Sequence, residues 1–235
     1  MSRSKAESIH FYKYLCQKIG SGEVVKARRL KFISEDLSYS NSVVRQISSG
    51  SKAEGLNLKS SDLDMMFLIP FYVVYESDKD AVRGWLRVAL VMDTEDTQPC
   101  FTNLRLHTNY DYLPKDIQQL FQLHKGEYLL SNELYKIQML NTFNLRMRFY
   151  EVHGPCCSDK EQKLDLAVCL KCDQWVSQAQ PWISRPRLKW PSPELISKIT
   201  LCDTETKAFI TVKDNIMSCY NTIIIHPNRS KCDCH

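Results

Sequence analysis

Two aspartates separated by one residue stand at the start of the densest apolar stretch of the chain. Asp62 and Asp64 flank Leu63, and residues 63–70 are otherwise apolar and bounded by turn residues. This composition predicts a buried strand, in which alternation directs both carboxylates to one side with backbones roughly 6–7 Å apart. Carboxylates so placed suit Mg²⁺, which keeps waters and substrate phosphates as further ligands. Exposed turn carboxylates are the alternative interpretation of so short a motif.

Two other features give this pair a chemical context. Gly50 and Ser51 fall between a predicted strand and a short helical turn, where backbone N–H groups and a hydroxyl can receive a phosphate. Asp165 lies on a later predicted strand, residues 164–170, whose opposite face is apolar. If that strand pairs beside the first, three aspartates surround one site, as two-metal phosphoryl transfer requires.

The periodicity of apolar residues predicts the elements that must position these side chains. Mixed strands flanked by helices are typical of an α+β fold. The predicted helices cover residues 6–19, 23–32, 114–143 and 193–199, and the predicted strands cover residues 43–47, 63–70, 85–92, 100–107 and 164–170. Trp175, Trp182 and Trp190 are interpreted as a hydrophobic seam between two lobes, with base stacking as the alternative.

Composition narrows the class of protein. The chain has 235 residues, enough for one large domain or two small ones, and its 43% hydrophobic and 25% charged residues exclude collagen, disorder and coiled coil. The longest apolar run, residues 65–75, is broken by Pro70 and falls short of the ~20 residues of a membrane helix. Neither a signal peptide nor a membrane partner is expected. Ten cysteines are too few for a disulfide scaffold, so we expect reduced thiols and a cytoplasmic location, with a nuclear one possible.

Positive charge is concentrated at one point of the chain. The net charge of +4 is too small by itself to argue for nucleic acid. Four cations within six residues nevertheless form a local basic cluster, consisting of Lys26, Arg28, Arg29 and Lys31. Such a cluster is interpreted either as a solvated helix face or as a contact for a polyanion.

Cysteine and histidine motifs invite metal or nucleophile interpretations that the spacing disfavours. Cys169 and Cys172 would point to opposite faces of a strand, so structural thiols are expected there. Residues 232–235, Cys-Asp-Cys-His, are spaced too tightly for an ordinary zinc finger, although zinc held with another cysteine is the alternative. His153 and Cys156 flank a Gly-Pro pair that favours a turn over a Cys/His nucleophile.

Several of these motifs together resemble a known family. Residues 47–56, ISSGSKAEGL, and residues 60–66, SSDLDMM, are similar to the invertebrate Mab-twenty-one-like nucleotidyltransferases, which include the cyclic GMP-AMP synthase-like receptors. A second stretch carries the same likeness through residues 153–156 (HGPC), Asp165, residues 169–172 (CLKC), Trp175 and residues 190–192 (WPS). The resemblance extends from about residue 8 to about residue 199.

The resemblance implies a nucleotidyltransferase fold, with a helical spine on a twisted mixed sheet and an incomplete C-terminal helical lobe. The implied domains are a nucleotidyltransferase core with the spine helix at residues 1–170, the start of the helical lobe at 171–199 and a divergent tail at 200–235. Because residues 200–235 do not look like the family's continuation, a truncated or alternatively spliced form is the hypothesis.

The resemblance also implies roles for the candidate site residues. Gly50 and Ser51 would hold the donor phosphates, while Asp62, Asp64 and Asp165 would ligate Mg²⁺ or Mn²⁺. Asp165 would also align the attacking ribose hydroxyl. Active members join ATP and GTP, or two like nucleotides, into a cyclic dinucleotide in innate immune signalling, after binding double-stranded RNA or DNA at the helical spine. The alternative is a truncated, non-catalytic member that acts as a nucleic-acid or nucleotide binding module.

Overall fold

Helices packed around a mixed sheet make up the fold, and the α+β prediction is confirmed. The computed structural model describes residues 3–41, 44–82, 87–95, 97, 101–146, 150–153, 156–172, 174–177, 180–188, 191–201, 209–213 and 216–220. Within them the α-helices are α1 (Arg3–Ile19), α2 (Gly22–Tyr39), α3 (Gly50–Ala53), α4 (Lys115–Gln118), α5 (Asn132–Arg146), α6 (Gln180–Ser184) and α7 (Pro193–Leu201). No helix in these ranges is long and apolar enough to cross a membrane.

Eleven described strands form the sheet. They are β1 (Arg45–Ser49), β2 (Leu63–Tyr75), β3 (Val88–Asp93), β4 (Phe101–Leu106), β5 (Phe121–His124), β6 (Glu127–Leu130), β7 (Tyr150–His153), β8 (Cys156–Asp159), β9 (Leu164–Cys172), β10 (Phe209–Lys213) and β11 (Ile216–Tyr220). The long strands β2 and β9 pair in parallel at its centre. Residues 209–220, assigned from the sequence to a divergent tail, contribute two strands of this sheet.

The neighbours of the central pair differ at its two ends. Where β2 and β9 begin, β1 pairs antiparallel with β2, and β8 pairs antiparallel with β9. Further along, β3 pairs parallel with β2, and β10 pairs antiparallel with β9. Strands β4 and β11 then pair with each other and connect these two outer neighbours. Among the described strands, β1 and β8 are the ones that frame the first half of the central pair.

The register between β2 and β9 shifts once, between Ile69 and Val73. Pro70 lies in this interval and has no N–H to donate, so the ladder cannot continue through it without a break. The irregularity separates the half of β2 that precedes Pro70 from the half that enters the main core. Alternation of side chains is regular within each half.

The main core lies beyond that break. Its buried residues come from β2, β3, β4 and β9, and are covered by the hairpin β5–β6 and by Tyr135 of α5. Tyr135 and Tyr72 meet edge to face, with ring centroids 6.0 Å apart, and burial raises the pKa of both phenols. Trp175 packs against the same core and stacks on Trp182, which favours the interpretation as a hydrophobic seam. Trp190 lies outside the described residues.

The helix predicted over residues 114–143 is wrong in its middle third. Only α4 and α5, at the two ends of that span, are helical, while residues 121–130 form the β5–β6 hairpin. Lys125 and Gly126 make its two-residue turn, with φ of 50° and 88°. Two-residue hairpins favour positive φ at both central positions. Apolar residues on both sides of the turn mimic a helical period closely enough to hide it.

Helix α2 supports the strand that leads to the candidate site. Asp36 is buried, and its carboxylate accepts hydrogen bonds from the Ser48 backbone N–H (2.9 Å) and the Ser48 hydroxyl (2.7 Å). Gly55, which follows α3, packs so closely on α2 that an added Cβ would lie 2.5 Å from the Val25 carbonyl oxygen. Strand β1 and the turn after it are thus both anchored to α2.

Removing the Asp36 anchor is expected to destabilise the fold. In the Asp36→Ala variant, Ser48 loses two hydrogen bonds to a charged acceptor in a buried place, a loss of about 3 kcal/mol in the free energy of unfolding. Urea unfolding measures it. Glu35→Ala is the matched control, because Glu35 makes only an exposed i,i+4 pair with Lys31, worth ~0.5 kcal/mol or less. Equal midpoints for the two variants would contradict the anchoring role.

Candidate metal centre

The registers of four strands place four polar residues side by side. Asp64 in β2 lies opposite Ser49 in β1 on one side and opposite Asp165 in β9 on the other. Asp165 in turn lies opposite Ser158 in β8. The row therefore runs Ser49, Asp64, Asp165, Ser158 across the beginning of the central pair. The pairing of the two aspartate strands, which the sequence left as a condition, is present in the structure.

An apolar row borders the acidic one on the same face of the sheet. The next row on this face, in the direction in which β2 and β9 run, consists of Ile47, Met66, Ala167 and Cys156. These residues pack together with Leu68 and Cys169. Met65 and Leu166 belong to a cluster on the opposite face. The alternation predicted for the two aspartate strands is confirmed, and the carboxylates lie at the rim of a hydrophobic cluster.

Asp62 completes the acidic group from the residue before β2. Asp62, Asp64 and Asp165 are all half-buried, and each offers a carboxylate oxygen within 4.8 Å of those of the other two. Among the described residues no second group of three or more histidines, cysteines, aspartates or glutamates meets this distance. The three predicted ligands thus come together in space although about a hundred residues separate the first two from the third.

The acidic group is electrostatically unfavourable without a cation. Burial raises the pKa of Asp64, and the neighbouring carboxylates Asp62 and Asp165 raise it further. Each of these effects opposes the charged form of the carboxylate. A divalent cation between the three groups would reverse that effect, so the cluster is a site at which cation binding and ionisation support each other.

The donor set fits a hard cation. The three carboxylates supply oxygen ligands, which Mg²⁺ and Mn²⁺ prefer. Cys156 is close enough to be influenced by the cluster, but burial first, and then Asp165 and Asp64, raise the pKa of its thiol to about 12. The donor set found at this position therefore consists of the three carboxylates.

Gly50 lies directly against the carboxylate of Asp64. Its φ is +72°, and a Cβ added there would lie 3.0 Å from Asp64 Cγ and closer still to Oδ2. No other residue type meets both demands, because side chains disfavour this φ and would displace the carboxylate. Ser51 follows in the first turn of α3 and is half-buried. Gly50 and Asp64 are therefore neighbours in space, and phosphate binding by Gly50 and Ser51 stays a prediction.

The structure adds a residue that the sequence interpretation missed. The hydroxyl of Ser158 donates a hydrogen bond of 2.5 Å to Oδ1 of Asp165, and Ser158 is only 3% exposed. The segment 156–159, CCSD, carries no motif that marks Ser158. Only the register between β8 and β9 identifies it.

The two arginines of the basic cluster are engaged within the fold. Arg28 donates from Nη1 to the backbone carbonyl oxygens of Ile19, at 2.6 Å, and of Gly55, at 3.1 Å. Arg29 forms an ion pair with Glu54 at 3.4 Å. Arg28 thus ties the junction between α1 and α2 to the turn after α3, which is a structural role.

The two lysines of the basic cluster differ from the arginines because both lysine side chains are exposed on α2. Lys26 is exposed, and Lys31 pairs with Glu35 at 3.7 Å along the helix. Because successive helical residues are rotated by ~100°, four cations at positions 26, 28, 29 and 31 spread around α2 rather than forming one stripe. Contact with a polyanion stays a prediction.

The remaining cysteine and histidine motifs lie either in the core or outside the described residues. Cys169 and Cys172 are buried in two different clusters on β9, so the prediction that they point to opposite faces is confirmed. Burial raises the pKa of Cys169, consistent with a structural thiol. The Gly-Pro pair after His153 and residues 232–235 lie outside the described residues.

Comparisons with known proteins assign no family to the chain. No protein-family model matches it, and no curated protein matches it either. The functional argument therefore depends on the acidic group and its surroundings.

Proposed function

We propose that the chain is an Mg²⁺-dependent nucleotidyltransferase that joins ATP and/or GTP into a cyclic dinucleotide. The observation that carries the proposal is the convergence of Asp62, Asp64 and Asp165, with ligand oxygens within 4.8 Å of one another, directly beside Gly50. Phosphoryl transfer from a nucleoside triphosphate needs a cation site made of oxygen ligands, with backbone N–H groups nearby for the phosphates. The acidic group beside the glycine turn at Gly50 supports both requirements. The resemblance in residues 47–66 specifies the nucleotidyl reaction.

Each site residue has a defined task in this proposal. Asp62, Asp64 and Asp165 would hold Mg²⁺, which would supply positive charge to the donor triphosphate and to the attacking hydroxyl. Gly50 and Ser51 receive the donor phosphates. Asp165 also aligns the ribose hydroxyl, whose oxygen bonds to the α-phosphorus as the bond from that phosphorus to the β-phosphate oxygen breaks. Pyrophosphate leaves, and the hydroxyl proton passes to solvent water.

Activation by double-stranded RNA or DNA is the regulatory part of the proposal. It is supported by the resemblance and by the exposed lysines of α2, Lys26 and Lys31. Contact through such cations would be independent of base sequence and would weaken steeply with salt. The cytoplasm, or the nucleus, is the proposed compartment, in keeping with the cysteine content.

Incubation with α-labelled ATP and GTP tests the activity directly. With Mg²⁺ and duplex RNA or DNA, the chain should release one pyrophosphate per linkage and yield a product resistant to phosphatase. The Asp62→Asn variant should yield none, while Lys26→Ala should only weaken the response to duplex. Absence of product under every combination of nucleotide, metal and duplex would refute catalysis by this chain.

A thermal melt with and without ATP·Mg²⁺ separates catalysis from binding alone. A ligand at 100 times its Kd adds about 2.7 kcal/mol to the native state, which shifts the midpoint visibly. A shift in the wild type that Asp62→Asn abolishes, without any product, would favour the second candidate, a nucleotide-binding module. No shift at all would refute the nucleotide site itself.

A further inference from the structure

Ser158 stands at the end of the polar row and touches one of the three aspartates. Its hydroxyl donates to Oδ1 of Asp165 at 2.5 Å, and 3% of the residue is exposed. On the other side of β9, Asp165 lies opposite Asp64. Asp165 is therefore held between a hydroxyl donor in β8 and a second carboxylate in β2.

This position gives Ser158 a specific physical effect. Asp165 and Asp64 carry like charges on neighbouring strands, so repulsion favours rotation of the Asp165 carboxylate away from the row. A short hydrogen bond to one of its oxygens opposes that rotation, and bonds to charged groups are stronger than neutral ones. Because Ser158 is buried, water cannot readily replace the lost donor.

We propose that Ser158 is a positioning residue of the metal centre, which fixes the carboxylate of Asp165 in the orientation that binds the cation. This inference depends on the proposed metal-dependent function, because it concerns the same site. Ser158 acts through its hydrogen bond to Asp165. Loss of a group that orients a metal ligand in this way typically lowers metal affinity by about 10- to 100-fold.

Binding of Mn²⁺ to the whole chain, followed by the paramagnetic resonance signal of the free ion, tests the inference without any turnover. Ser158→Ala should weaken Mn²⁺ binding by about 10- to 100-fold. Ser158→Thr keeps the hydroxyl and should restore most of the affinity. If alanine prevents folding, Ser158→Cys fills the position with a slightly larger side chain that is a much weaker donor and should show the same loss.

Ser48→Ala is the matched control. Ser48 is also a buried strand serine whose hydroxyl donates to a carboxylate, that of Asp36, at 2.7 Å, but it lies on the opposite face of the sheet from Asp64. It should lower the melting temperature and leave Mn²⁺ affinity unchanged. A merely structural role for Ser158 predicts that both serine variants behave alike.

The outcomes separate this inference from the proposed function. If the wild type binds Mn²⁺, Asp64→Asn abolishes binding and Ser158→Ala binds as the wild type does, the metal centre stands and the role of Ser158 is refuted. That role is equally refuted if threonine fails to restore the affinity in a folded chain. If the wild type itself binds no Mn²⁺, the proposed function fails, and the inference fails with it.

Discussion

Replacing Asp64 by asparagine is expected to abolish metal-dependent turnover while raising the stability of the metal-free protein. In the proposed function Asp64 is a ligand of the cation, and its loss removes charge stabilisation worth several kcal/mol, so the proposed nucleotidyl transfer should fall by a factor on the order of 10³ or more. In metal-free buffer the same substitution removes a carboxylate that burial and two like charges make unfavourable. Activity and stability should therefore move in opposite directions.

The pH dependence of stability follows from the sign of the pKa shift. The folded pKa of Asp64 is raised, so between its unfolded and folded values the native state binds more protons than the unfolded state. The contribution of Asp64 to stability is then fully present below the unfolded pKa and is lost as pH rises through the folded one. Without metal, the wild type should lose stability relative to Asp64→Asn across that mildly acidic window.

Thermal melts from pH 4 to 7 in chelator, and again in Mg²⁺, measure this expectation. Mg²⁺ should raise the wild-type midpoint at pH 7 and leave Asp64→Asn unchanged. Asp111→Asn is the control, since Asp111 is an exposed residue of the short 3₁₀ helix Tyr110–Tyr112 and should match the wild type throughout. A wild type that is more stable than Asp64→Asn at pH 7 in chelator would show that Asp64 serves the fold rather than a cation.

The acidic site could be predicted from local pattern because each half of it lies on a strongly patterned strand. The apolar run after Asp62 and the alternation around Asp165 indicate two strands with their carboxylates on one face. Parallel pairing of those strands depends on contacts between distant parts of the chain, so the sequence left it as a condition. The register, in which Asp64 lies opposite Asp165, shows that the pairing is present. Alternation then suffices to bring the side chains together.

Three features escaped the sequence because their causes are not periodic. The β5–β6 hairpin depends on positive φ at Lys125 and Gly126, while the apolar residues around it fit a helix equally well. Ser158 matters only through its cross-strand neighbour Asp165, which no local pattern specifies. Similarly, Arg28 belongs to a basic cluster by sequence but serves two backbone carbonyls in space. Pairing between distant segments decides the roles of Ser158 and Arg28, whereas the local turn at Lys125 and Gly126 decides the hairpin.

Replacing Gly50 by alanine is expected to destroy the metal centre with only a modest loss of stability. The added methyl group would overlap the carboxylate of Asp64, which is the end of a flexible side chain and can rotate away. That rotation removes Asp64 from the cation site, so Mn²⁺ binding and turnover should fall as far as they do in Asp64→Asn. The backbone strain at φ +72° adds a cost of about 1–2 kcal/mol for any residue with a side chain.

Gly126→Ala is the control that separates strain from displacement. Gly126 has a comparable φ of +88° and is also exposed, but a Cβ there meets nothing within 4 Å. Both variants should lose about 1–2 kcal/mol of unfolding free energy in urea, since both carry the same kind of strain. Only Gly50→Ala should lose Mn²⁺ affinity, because only there does the methyl group face a ligand.

The comparison also tests why glycine stands before Ser51 at all. One explanation is that Gly50 provides the positive φ that places backbone N–H groups for a phosphate. In that case Gly50→Ala would weaken nucleotide binding and leave Mn²⁺ affinity intact in the absence of nucleotide. The contact with Asp64 predicts instead that metal affinity falls first, before any nucleotide is added. A Gly50→Ala protein that binds Mn²⁺ as tightly as Gly126→Ala would remove the link between this turn and the acidic group, and would limit Gly50 to shaping the backbone.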